Sequence, residues 1–119
     1  MNMCKVALSL MVALCLAGCG SAQNDLVGKA EDAVRHIAKD PDSVIFREVR
    51  IVQLDTGAGM APIVCGEFNA KNGFGGYSGF EAFAWHPDGK LLAKALYPDG
   101  VEVVQQGISA LCAGKMPEV

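Results

Sequence analysis

The sequence predicts an α+β domain with an N-terminal helix, an antiparallel sheet of about four strands and a C-terminal helix. Three observations carry this expectation. Leu26, Ala30, Ala33, Val34, Ile37 and Ala38 recur at helical spacing, with Lys29, Asp32, Arg35 and Lys39 between them. Short runs rich in β-branched and aromatic residues then follow, punctuated by glycine and proline. Near the end, Val101, Val104, Ile108, Leu111 and Cys112 return to helical spacing.

Each element has its own signals. Asn24 or Asp25 is placed to cap the first helix, and Asp40 followed by Pro41 ends it, because a residue before proline is pushed out of helical geometry. In "SVIFREVRIVQL" the alternation changes phase, so a bulge near Glu48 to Arg50 is expected in the first strand. "DTGAGMAP", Asp55 to Pro62, reads as a glycine-rich loop, and Ile63 to Ala70 as the second strand. Phe80 to Trp85 and Lys90 to Leu96 follow as the third and fourth. "HPDG" and "YPDG" have the composition of tight turns. Asp99 is positioned to cap the last helix, and Gly114 to stop it.

The first 18 residues stand apart. A charged start at Lys5, the apolar run Val6 to Leu16 and small residues after it have the layout of a secretory signal, too short to span a bilayer. "LAGC", Leu16 to Cys19, resembles the lipobox of bacterial lipoproteins. The resemblance implies cleavage before Cys19, diacylglycerol on its sulfur and an acylated amino group, with the membrane as partner through that lipid. Gly20 stands after the cysteine where lipoproteins retained in the inner membrane tend to carry Asp, so the resemblance implies the outer membrane, facing the periplasm, with inner-membrane retention as the alternative. Residues 19–24 would then form a lipidated tether and residues 25–119 a single domain. Removing 18 of 119 residues leaves 101, with nine Lys and Arg against 13 Asp and Glu, a net charge of −4. The absence of a basic cluster argues against nucleic acid as a partner.

Cys4 and Cys15 leave with the signal and Cys19 is alkylated, so Cys65 and Cys112 remain in an oxidising compartment. They are expected to pair and tie the C-terminal helix to the sheet; the alternative is two separately buried thiols. These two, His36 and His86 lack zinc-ligand spacing, so neither a metal site nor a cofactor is expected. On the second strand Cys65 shares a face with Glu67 and Asn69, while Val64, Phe68 and Ala70 share the other, and one of these faces must pack on helices.

The stretch "KNGFGGYSG" is longer than a tight hairpin requires. It follows neither the phosphate-loop nor the dinucleotide pattern, since it joins strand to strand. It is either a wide turn whose rings fold back on the sheet or a partner-binding surface built from Asn69, Lys71, Asn72, Phe74 and Tyr77. Asp40, Pro41, Ser43 and Phe46, then Cys65, Gly66, Asn69, Asn72, Gly75, Gly76, Tyr77, Gly79 and Phe80 follow D-P-x-S-x-x-F and C-G-x-x-N-x-x-N-x-x-G-G-Y-x-G-F. In these and a late cysteine the chain resembles a family of small exported proteobacterial proteins and lipoproteins. That resemblance implies the fold and hands over no established activity.

Catalysis is the weakest class. Glu67 and Glu81 fall on neighbouring strands, where a facing carboxylate pair would suit glycoside cleavage, but no cleft is expected there and no nucleophile motif accompanies them. No catalytic residue is assigned. The leading expectation is a lipid-anchored periplasmic binding or inhibitor module with a protein partner, for instance an immunity-type lipoprotein. The alternative is a structural envelope lipoprotein associated with peptidoglycan or an envelope assembly.

Overall fold

The computed structural model describes residues 22–117. The expected signal peptide and Cys19 lie outside the described residues. Helix α1 covers 22–37, a turn of 3₁₀ helix covers Pro41–Ser43, and strands β1 (Ile45–Asp55), β2 (Met60–Asn69), β3 (Glu81–Trp85) and β4 (Leu91–Ala93) follow. A second 3₁₀ turn, Lys94–Leu96, leads into helix α2 (Val101–Cys112). The strands form one antiparallel sheet in the order β1-β2-β3-β4.

Both faces of the sheet are covered, one helix on each, where the sequence suggested one packed face. Val64 and Phe68 of β2 line up with Phe83 and Trp85 of β3 on the α1 side, where Ala30 and Val34 are fully buried. Cys65 and Ile63 lie on the other side with Leu54, Ala84 and Ile108 of α2. The Cys65–Cys112 disulfide forms as expected, with Cα atoms 5.9 Å apart, and ties α2 to a central strand.

The phase change in β1 is a bulge. Pairing with β2 shifts between Arg47, opposite Glu67, and Arg50, opposite Cys65. Glu48 adopts φ 54°, a left-handed conformation rare for a residue with a Cβ, and its carbonyl accepts a hydrogen bond from Arg50 Nη1 at 3.0 Å. The bulge presses Val49 onto β2. A Cβ on Gly66 would meet the Val49 Cα at 3.0 Å and the Phe83 ring at 3.1 Å, so glycine is what lets these layers close.

Several boundaries move for identifiable reasons. Residues 22–24, read as tether, are already helical, so neither Asn24 nor Asp25 caps the start of α1. The loop expected over Asp55 to Pro62 shrinks to 56–59, because Met60, Ala61 and Pro62 pair with Asp55, Leu54 and Gln53. Pro62 is tolerated because β3 ends at Trp85, opposite Val64, and claims no hydrogen bond from it. The fourth strand stops at Ala93 and tightens into 3₁₀ helix. Gly100, not Asp99, occupies the cap position of α2. The helix ends as expected at Gly114, whose φ of 82° lets Lys115 N donate to the Ala110 carbonyl.

Candidate functional site

The connection from β2 to β3 is held by its own side chains. Lys71 and Tyr77 form an antiparallel bridge at its base. Within it Asn72 N donates to Gly76 O at 2.8 Å, and Asn72 Oδ1 accepts from Phe74 N at 2.9 Å and Gly76 N at 3.3 Å. Gly75, at φ 83°, turns the chain where a side chain would be strained. Asn69, buried at the end of β2, accepts from Gly79 N at 3.0 Å. Both asparagines therefore shape the loop from inside.

A second set of bonds fastens the loop to the corner between α1 and β1. Tyr77 Oη donates to the Ser43 carbonyl at 2.9 Å, and Ser43 Oγ accepts from Lys71 N at 2.9 Å while donating to the Asp40 carbonyl at 2.7 Å. The two sequence motifs thus meet in space at Ser43, which bonds to Asp40 on one side and to Lys71 and Tyr77 of the loop on the other. Ser43 was not among the residues that the sequence singled out for the site. Its partner Tyr77 lies 34 positions away, and the only sequence signal is that the two motifs occur together.

Of the five candidate contact residues, two keep side chains that make no hydrogen bond among the described residues. Phe74 is fully exposed at the tip, and the Lys71 ammonium sits 5.9 Å from the centre of the half-exposed Tyr77 ring. Tyr77 combines both roles, its hydroxyl anchored and its ring face open. Lys39 at the end of α1 adds a second cation, its Nζ 3.9 Å from where a Cβ on Gly73 would lie.

The carboxylates do not assemble. Glu67 pairs with Ala82 and Glu81 with Phe68, which places the two acids on opposite faces of the sheet and removes the facing pair considered above. Arg47 donates to Glu67 Oε2 at 2.8 Å while its guanidinium lies 3.8 Å from the Phe80 ring centre. The hydrogen bond from Arg47 holds the Glu67 carboxyl below its ordinary range. Glu81 moves the other way. Burial raises it against the attraction of Lys94 and a bond from the Ala95 backbone, and among the described residues its Oε2 has no partner.

Among the described residues no group of three or more His, Cys, Asp or Glu is arranged to hold a metal, and no helix is long and apolar enough to cross a membrane. Set against known protein families, characterised proteins and solved structures, the chain matches none.

Proposed function

We propose that this chain is a lipid-anchored periplasmic binding or inhibitor module, of the kind an immunity-type lipoprotein represents, and that loop 71–79 is its contact surface. The observation that carries the reading is Phe74, fully exposed on a loop that hydrogen bonds have already fixed. An exposed ring on ordered backbone loses little conformational freedom on association, which is the condition for an aromatic anchor. The address rests on the signal layout and the "LAGC" segment. With Cys19 lipidated, α1 becomes a spacer. Its 16 described residues span about 24 Å, and the loop meets the helix at its C-terminal end, beside Lys39 and Ser43, away from the anchor. The loop then faces a partner in the periplasm, with the outer membrane behind it.

The test is capture of a partner from envelope extracts by the purified protein and by Phe74→Ala. The variant should melt with wild type and bind more weakly by about 2 kcal/mol, roughly thirtyfold. Unchanged capture by Phe74→Ala removes the loop from the contact surface, and retention on isolated sacculi instead of by a protein replaces the reading with a cell-wall role.

A further inference from the structure

The α2 face of the sheet is only partly covered, and beside the helix lies a groove of about 360 Å³. Its walls are Leu54, Ile63, Ala84 and Leu92 from the sheet and Leu111 from α2, with Met116 over one side. None of these carries a polar side-chain group, so water in the groove has few partners there. The volume falls within the range of about 300–1,000 Å³ typical of small-molecule sites. The charged and ring-nitrogen groups of the lining, His86, Asp88 and Lys90, come from the turn between β3 and β4, and Thr56 adds a hydroxyl.

That turn leaves the Lys90 ammonium available and its acid engaged. Asp88 Oδ1 accepts from Lys90 N at 2.9 Å and lies 3.1 Å from His86 Nδ1. The backbone bond from Lys90 is the main reason the Asp88 carboxyl is held below its ordinary range. His86 Nδ1 also accepts from Asp88 N at 3.1 Å, so both contacts to Asp88 use one ring nitrogen and Nε2 takes no part in them. Among the described residues the Lys90 ammonium has no carboxylate within ion-pair distance. An apolar trough thus ends at one ammonium and one imidazole ring.

We infer that this groove is a second binding site, independent of loop 71–79, for an aliphatic carboxylate whose chain lies along the Leu54–Leu111 walls and whose head meets Lys90 and His86. The chain has a single tryptophan, Trp85, which borders the groove while its ring packs on the α1 side of the same sheet, so a bromine held in the groove reads out by quenching across one sheet thickness.

The experiment titrates the purified protein with bromine-tipped decanoate and, in parallel, with the matching uncharged alcohol. The carboxylate should quench Trp85 saturably at one molecule per chain, and the alcohol should bind about tenfold more weakly for want of one charge-assisted hydrogen bond. Lys90→Gln should weaken the carboxylate by a similar factor and leave the alcohol unchanged. Phe74→Ala should bind both as wild type does, which separates this site from the loop. Quenching that rises linearly without saturation, equal affinity for acid and alcohol, or a Lys90→Gln protein that binds the acid as before each overturns the assignment.

Discussion

Against α1 the sheet presents the rings of Phe46, Phe68, Phe83 and Trp85, whereas against α2 it presents Leu54, Ile63, Cys65 and Ala84. On the first side Phe83 is fully buried, with the Phe46 and Phe68 ring centres 6.2 and 6.1 Å away, and the helix answers with small residues, Ala30 and Val34, that let it approach closely. On the second side the residues are smaller, grooves flank the helix, and one covalent bond crosses the layer. A face rich in aromatic area holds its helix by burial and a cation–π contact from Arg35 to Phe46, without a covalent bond. A face poor in such area holds its helix with a disulfide, and what it leaves uncovered becomes concave surface.

The largest test of that contrast is Phe83→Ala. The side chain is completely buried at the centre of the α1 layer, so its removal should cost about 5 kcal/mol, the upper end for a buried ring, and both helices should lose hydrogen-exchange protection together. If only α1 loosens, the two layers fold more independently than a shared sheet implies. Next comes the double variant Cys65→Ala with Cys112→Ala. The bond closes a loop with a sequence separation of 47, worth about 4 kcal/mol in the chain-entropy picture. Here α2 amides should lose protection first while those of α1 persist. Equal loss in both helices would show that the α2 layer is not the one that depends on its bond.

The smallest test concerns the acid at the margin of the aromatic face. Burial raises Glu81 above its ordinary value, so the folded protein holds this proton more tightly than the unfolded chain does. The stability it contributes is present at acid pH and is lost as pH rises through the folded value. Glu81→Gln should therefore gain on wild type between acid and neutral pH, by at most about 0.5 kcal/mol because the group is partly exposed. A difference that does not change with pH would place the cause elsewhere.

The residues explain why some of this was legible in the sequence. The bulge shows as a break in alternation around Glu48, and α2 as apolar spacing that ends at Gly114, because both are local patterns. The coverage of both faces is not local. The pairing of Cys65 assigns its face of β2 to a helix, but nothing on the strand says that a second helix covers the Val64 and Phe68 face, and Glu67 and Asn69 find their partners, Arg47 and Gly79, outside the strand. Asn72 and Tyr77 were legible as candidate contact residues by type and position. Their structural duties were hidden, because the bonds that define them close only when the corner at Ser43 arrives. Phe74 remains the residue for which type, position and exposure agree.

The bulge in β1 also bears on how copies of this chain behave at high concentration. A sheet in the order β1-β2-β3-β4 has two edges, and an open edge is a template on which another chain can add strand by strand. At one edge β4 offers only Leu91–Ala93 before it turns into 3₁₀ helix. The other edge is the 11-residue β1, long enough to nucleate such growth if it were flat. Glu48, in its left-handed conformation, breaks that edge into two short pieces, and the bridge from Asp55 to Lys115 covers its far end. No long, flat edge is thereby left on β1, so the feature that sets its register also works against strand addition by a second copy.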